Sequence, residues 1–369
     1  MFRRLDDATR ATRPAPLGPL GLGRYPTAIE PAAALSIPGA ELWIKRDDRT
    51  HEVYGGNKVR KLEWLLADAR ARGTTRVITA GAVGSHHVLA TSYFGRSQGL
   101  EVEAVLVPQP RTDHVVETIR AALALGLRAT PLRWRSAAPL VAFARSLGRG
   151  RFIPIGGSSV VGSLGYVSAA RELAAQVRAG EMPEPDLCVV ALGSGGTAAG
   201  LAAGLAAEHL KTEVIGVCVA EPAWATRVLA RALTRGCMAR LCAEGLARAD
   251  AEALRPHLSF DDRFLGAGYG HSTPAGDEAT TIASRVGLEL DPTYTAKAFA
   301  AALSHLRAAG ESRARSSRPA VVLYWHTLSS APLAPLLAGA PDESALDARV
   351  RGLLGSGAAY RGTGRPFAR

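Results

Sequence analysis

From Val59 onward the apolar residues Val59, Leu62, Leu65, Leu66 and Ala69 recur at helical spacing, with Arg60, Lys61, Glu63 and Asp68 between them. That period predicts a helix over 58–72 with a polar outer face, stopped by Gly73. Ahead of it, 41–45 (Glu-Leu-Trp-Ile-Lys) alternates as a strand. After it, strand and helix patterns take turns. Strands are predicted at 76–80, 102–107, 128–132 and 152–155, with helices at 85–98, 114–125, 137–147 and 167–179. A second series follows: strands 187–192, 213–219 and 320–325, helices 197–208, 222–255 and 275–286, and another helix ahead of Pro319. Strands alternating with helices of this length predict βαβ units and mostly parallel sheets, an α/β fold. Residues 1–40, rich in Pro, Gly and Ala, read as an irregular arm, and 355–369 as a loose basic tail.

Composition narrows this only slightly. The chain has 369 residues, 47% hydrophobic and 21% charged, enough for two domains and more than one core. The formal net charge of +11 comes from arginines scattered singly through Ala-rich helices, with no basic stripe or interleaved aromatics. No nucleic-acid partner is expected, although the charge would favour an anionic small molecule. Four cysteines make no disulfide framework, no run is long enough to span a membrane, and the opening residues read as no secretory signal. A cytoplasmic protein is expected.

Three stretches carry candidate chemistry. Gly55-Gly56-Asn57-Lys58 places a lysine at the head of a helix, where the helix N-terminus and the nearby Arg60 and Lys61 would favour the free amine that Schiff-base formation requires. Gly193-Ser194-Gly195-Gly196-Thr197 follows a strand and opens a helix, offering backbone amides to a phosphate. The same stretch also fits a dinucleotide fingerprint, with Glu221 as the ribose-binding acid. Ser85-His86-His87 opens another helix after a strand. Ser85 is a carboxylate-binding hydroxyl or simply an N-cap, and the paired histidines lack a third ligand, so no metal is expected. Tyr269 and Tyr294 stand in turns.

Taken in order, Arg46-Asp47-Asp48, Gly55 to Glu63, Gly156-Gly157-Ser158, Gly162-x-Leu164-Gly165-Tyr166, Gly193 to Thr197, Gly268-Tyr269-Gly270, Leu290 to Ala298 and His326-Thr327 resemble the D-cysteine desulfhydrase and 1-aminocyclopropane-1-carboxylate deaminase family. The resemblance covers about residues 18–330. It implies a pyridoxal 5'-phosphate enzyme of the tryptophan-synthase β-like fold (fold type II), with two open, twisted, mostly parallel sheets flanked by helices, and usually a homodimer. It also implies a large cofactor-binding domain of 1–53 plus 165–335, a small domain of 54–164, and a C-terminal extension of 336–369. Catalytic roles fall to Lys58, Ser85, Tyr269 and Tyr294. Cofactor contacts fall to Lys58, Asn57, His86, Gly193, Ser194, Gly195, Gly196, Thr197 and Thr327, and substrate contacts to Ser85, His86, His87, Gly165, Tyr166 and Thr295.

Thr295 and Thr327 resemble the desulfhydrase branch, where the deaminase branch has glutamate and leucine. The implied function is α,β-elimination on a β-substituted amino acid, D-cysteine by default. Alternatives are another amino acid of the 1-aminocyclopropane-1-carboxylate, cysteate or serine type, or a cofactor-binding protein with degenerate activity. Three positions depart from the family pattern: His86 replaces an asparagine, Ser159-Val160 an Asn-Pro, and Leu328-Ser329 a Gly-Gly.

Overall fold

Two parallel sheets carry the chain. The computed structural model describes residues 17–148, 150–246, 254–313 and 318–355; the first sixteen residues of the arm, 247–253 of the expected helix 222–255, and the tail from 356 lie outside them. The strands are β1 (Ile29–Pro31), β2 (Ala40–Lys45), β3 (Arg76–Ala82), β4 (Glu101–Val107), β5 (Gln109–Pro110), β6 (Arg128–Pro131), β7 (Gly150–Phe152), β8 (Leu187–Leu192), β9 (Glu213–Cys218), β10 (Leu258–Asp261), β11 (Ala320–Trp325) and β12 (Leu354–Gly355). The larger sheet has the order β1-β2-β11-β8-β9-β10, parallel apart from β1, and the smaller the order β6-β4-β3-β7, parallel throughout.

Both sheets are covered on both faces, which is why their strands read as nearly unbroken apolar runs. In β11 every residue is buried, and alternate residues enter opposite cores. Val322 and Tyr324 meet Phe299 and Leu303, on one side, while Leu323 and Trp325 meet Leu173 and Leu201 on the other. The smaller sheet packs Leu62, Leu66, Phe94 and Ile119 on one face and Ala138 and Ala142 on the other. The helices involved are α1 (Asn57–Ala71), α2 (His86–Ser97), α3 (Asp113–Ala124), α4 (Ala138–Ser146), α5 (Val160–Arg178), α6 (Gly196–Ala207) and α7 (Ala223–Ala243), followed by Pro274–Ser284 and Thr295–Arg313.

Four differences from the sequence pattern have physical causes. Helix α5 starts at Val160 rather than 167, because Ser159 caps it by accepting from the Gly162 amide and the glycines inside it face another helix. The strand expected at 152–155 ends at Phe152, ahead of Pro154, which has no amide to donate. The polar side of α1 is not an outer face: Arg60, Lys61, Glu63 and Asp68 are all buried, Arg60 against Glu172 of α5, Lys61 against Gly156 and Ser158, Glu63 against the Gly23 amide and Asp68 against Arg151 of β7. Finally, 333–355 docks on the smaller sheet's core through Leu336, Leu346, Val350 and Leu353, and β12 pairs with β5.

Candidate functional site

The C-terminal ends of β3, β8 and β11 and the N-termini of α1, α2 and α6 converge on a cavity of about 790 Å³, the position where parallel α/β sheets bind ligands. Of the sequence-predicted site residues, Asn57, Lys58, Ser85, His86, His87, Gly193, Ser194, Gly195, Thr197, Tyr269, Tyr294, Thr295 and Thr327 line it. Three do not. Gly196 sits behind its wall, donating its amide to Ser158 Oγ at 3.1 Å.

Gly165 and Tyr166 are the clear corrections, since both lie within α5 and serve packing. A Cβ on Gly165 would stand 2.0 Å from the Arg60 carbonyl oxygen, so this glycine lets α5 meet α1 backbone to backbone. Tyr166 is fully buried and donates its hydroxyl to Asp47 at 2.9 Å. Their substrate role was implied by the family resemblance alone; close approach of two helices explains the glycine here.

Lys58 is half-buried at the head of α1. The helix is entered through Gly56 at φ +86°, a left-handed conformation in which a side chain would also meet the Thr327 carbonyl at 2.6 Å. Lys58 Nζ donates to Asn57 Oδ1 at 2.6 Å. Burial lowers its pKa to about 8, opposed by Asp291. The free amine expected from the sequence is therefore favoured, but by desolvation rather than by Arg60, which faces a separate ion cluster. Asn57 also donates to Thr197 Oγ1 at 3.3 Å, and its amide donates to the Thr327 carbonyl at 3.1 Å, tying the lysine to the glycine loop and to the end of β11.

Opposite Lys58, Gly195 at φ +86° turns the chain into α6, an Ala- and Gly-rich helix buried almost all round. Ser158 organises this end of the cavity: its hydroxyl meets Ser194 Oγ at 2.7 Å and accepts from Lys61 Nζ at 3.2 Å, and Lys61 also donates to the Gly156 carbonyl at 3.1 Å. Lys61 also lines the cavity, a position the sequence did not reveal. It lies one turn beyond Lys58 on the same helix face, a relation the spacing of three contains. Burial, then Lys58, pushes its pKa well below the ordinary lysine value. Its contacts among the described residues are a carbonyl and a hydroxyl, with no carboxylate. A buried amine so placed, beside a helix N-terminus, suits a phosphate dianion, whose charge would favour its protonated form.

The substrate side is aromatic and acid-capped. Tyr294 donates to Tyr269 Oη at 3.0 Å with the rings edge to face, and the Arg135 guanidinium lies over the Tyr269 ring at 4.8 Å. Burial raises both phenol pKa values, so the pair holds its protons at neutral pH. Asp291, also missed as a site residue, lines the cavity and fixes Tyr294 by accepting from the amides of Thr293, Tyr294 and Thr295. It engages the Thr295 hydroxyl at 2.7 Å too, so Thr295 presents little of it to a substrate. Ser85 caps α2, accepting from Val88 at 3.4 Å, and still lines the cavity. His87 is buried with Nε2 2.9 Å from Thr79 Oγ1. Glu221, the acid a dinucleotide site would need, instead accepts from the Tyr269 amide at 2.8 Å.

His86 lines the cavity, with Nδ1 2.6 Å from Tyr54 Oη and Nε2 3.2 Å from His114 Nε2.

Residues 20–327 match the family model described as pyridoxal-phosphate dependent enzyme. The chain belongs to this family. The D-cysteine desulfhydrases of Salmonella paratyphi A and Salmonella newport are each 39% identical over 316 residues, covering 82% of this chain and 91% of theirs, which places the chain in the group its motifs resembled. A crystal structure described as an ACC deaminase homologue superposes with a TM-score of 0.70 at 29% identity, covering 88% of this chain and 97% of that one. A fungal L-serine ammonia-lyase from Rhizomucor miehei, with a TM-score of 0.58 at 19% identity over 84% of this chain and 96% of that one, shares the fold.

The residues present fit pyridoxal phosphate. One lysine has its pKa lowered to about 8, which makes its free amine more available, a glycine loop and buried Lys61 form an anion cradle, and neutral Thr327 lines the wall between them. The dinucleotide reading of the loop falls with the family assignment and with the engagement of Glu221. Among the described residues no group of three or more His, Cys, Asp or Glu could hold a metal ion, and no helix is long and apolar enough to cross a membrane.

Proposed function

We propose that this enzyme carries out α,β-elimination on D-cysteine, releasing pyruvate, ammonia and hydrogen sulfide. The observation that carries the reading is one cavity lined by Lys58, by Gly193, Ser194, Gly195 and Thr197, and by Tyr269 and Tyr294, in a chain 39% identical to D-cysteine desulfhydrases. When bound, pyridoxal phosphate supplies the carbonyl that captures the substrate amine and the electron sink that acidifies the α-hydrogen. The chain's own residues do the rest. Lys58 would hold the cofactor, and its amine, with a pKa lowered to about 8, would be a base of suitable strength for the α-proton. Tyr269 and Tyr294, protonated and hydrogen-bonded to each other, donate toward the departing sulfur. Ser85 and the first amides of α2 orient the substrate carboxylate. Gly193, Ser194, Gly195 and Thr197 hold the phosphate with Lys61, and Thr327 offers the ring nitrogen a neutral partner.

The protein acts in the cytoplasm as a homodimer in this reading. Support for a second subunit comes from the apolar residues left exposed, Trp134, Leu140, Phe143 and Leu147 on one surface and Trp224, Val228 and Leu229 on another. The domain division that fits best places β1, β2 and β8 to β11 in a large unit and β3, β4, β6 and β7 in a small one. The docking of Leu336 to Leu353 on the smaller core favours adding 333–355 to the small unit.

The test is release of ammonia and a 2-oxo acid, with sulfide in addition from the cysteines, from a panel of D-cysteine, L-cysteine, D-serine, L-cysteate and 1-aminocyclopropane-1-carboxylate. The highest kcat/KM is expected for D-cysteine. Faster turnover of any other member would replace the substrate, and no turnover of any by cofactor-loaded protein would contradict the lyase reading.

A further inference from the structure

From the cavity wall outward, three side chains that the chemistry above leaves aside form an unbroken line. Tyr54 is buried and lines the cavity. Its hydroxyl is 2.6 Å from His86 Nδ1. His86 Nε2 is 3.2 Å from Nε2 of His114, whose ring centroid lies 5.0 Å away, and His114 is exposed in the first turn of α3. The line begins at the reaction chamber and ends in solvent.

We propose that Tyr54, His86 and His114 are a proton relay between the cavity and solvent. Each member can donate and accept, as conduction requires. In one setting His114 Nε2–H donates to His86 Nε2, His86 Nδ1–H donates to Tyr54 Oη, and the phenol hydrogen points into the cavity. When Tyr54 gives up that hydrogen, the His86 Nδ1 proton moves to Tyr54, the His114 Nε2 proton moves to His86, and His114 takes a proton from water at Nδ1. One proton enters and one is delivered, and the relay ends in its mirror setting; ring and hydroxyl rotation or the reverse transfer resets it.

The surroundings keep the central ring neutral, the state in which it conducts. Burial, then His114, and then Lys58 from α1 lower the pKa of His86 to about 4 against the pull of Asp291 from the turn before helix Thr295–Arg313. Burial likewise raises the Tyr54 phenol. The inference rests on the lyase reading only for which proton travels: sulfur departs as hydrogen sulfide when a proton reaches it, and the relay replaces that proton.

The decisive experiment compares His114→Ala with the wild-type holoenzyme on D-cysteine at low buffer concentration. The exposed position leaves the fold intact, so kcat should fall about tenfold, with KM and bound cofactor unchanged, and imidazole added to the solution should restore it. Tyr54→Phe should lose a similar factor that imidazole does not restore. A His114→Ala enzyme as fast as wild type at low buffer, or one whose loss imidazole does not mend, overturns the relay. A second readout does not need turnover: in 15N-histidine-labelled apoprotein, a through-bond coupling between the two Nε2 atoms is expected, and its absence overturns the relay. Wild-type protein inert toward D-cysteine would count against the lyase reading alone, because the coupling still decides the relay.

Discussion

Helix α1 carries two kinds of buried basic side chain within one turn, and they have opposite environments. Arg60 binds Asp47 at 2.8 Å and Glu172 at 2.9 Å, and nearby Lys45, wholly buried, binds Glu172 at 2.6 Å and Gln176 at 2.5 Å. Tyr166 and Thr27 complete this cluster through Asp47. Burial alone would raise the Asp47 pKa, yet Arg60 and Lys45 together hold it below the usual carboxylate range. Lys58 and Lys61, by contrast, meet only an amide oxygen, a carbonyl and a hydroxyl among the described residues. A buried cation with its counter-ion in place is a structural element, whereas a buried amine without one is shaped for a ligand. The same helix therefore anchors the fold with one side and leaves the other for chemistry.

The largest effect that would break this contrast is at Lys58. Lys58→Ala should lose the visible absorption of bound cofactor and reduce D-cysteine turnover about 10³-fold or more, measured by spectrum and sulfide release. Asp47→Ala should leave Arg60 uncompensated and cost about 3–5 kcal/mol in urea unfolding. A change below 1 kcal/mol would mean that the cluster is less closed than its distances indicate.

Much of this contrast was hidden in the sequence. The apolar period located α1, the strand and helix alternation located both sheets, and the glycine loop and Lys58 stood out because turns and helix starts have local signatures. The partners of Arg60 did not. Asp47 lies 13 residues away and Glu172 lies 112 away, and only the packing of α5 on α1 joins them. For the same reason the buried polar side of α1 looked like a solvated face. Gly165 and Tyr166 were implied as substrate contacts by the resemblance alone, and a glycine admitted for close packing and one admitted for a binding loop look alike in a sequence. The short edge strands β1, β5, β10 and β12 have too few residues to show a period. His86 was visible as a departure, but its partner His114 belongs to another helix and its role emerges only in three dimensions.

Lys61 sharpens the comparison at the next level. Lys61→Met should weaken cofactor binding by about tenfold to a hundredfold, the value of one hydrogen bond to a charged group, read by titrating apoprotein with pyridoxal phosphate. The same substitution should cost the apoprotein less stability than Lys45→Met, since Lys61 has no carboxylate partner among the described residues whereas Lys45 binds Glu172. The smallest effect is on pH. Because the folded Lys58 amine has a pKa of about 8 and only its neutral form attacks a carbonyl, the rate of cofactor capture by apoprotein should rise as pH rises toward 8 and level off above it. A rate still climbing near the ordinary lysine value would remove the desolvation argument.

The most direct test of the two-sided helix is chemical. Cofactor-loaded protein is reduced with borohydride, digested, and the peptide spanning both lysines is sequenced by mass spectrometry. The account predicts the pyridoxyl mass on Lys58, with Lys61 unmodified. Label on Lys61, or a peptide carrying none, would contradict it.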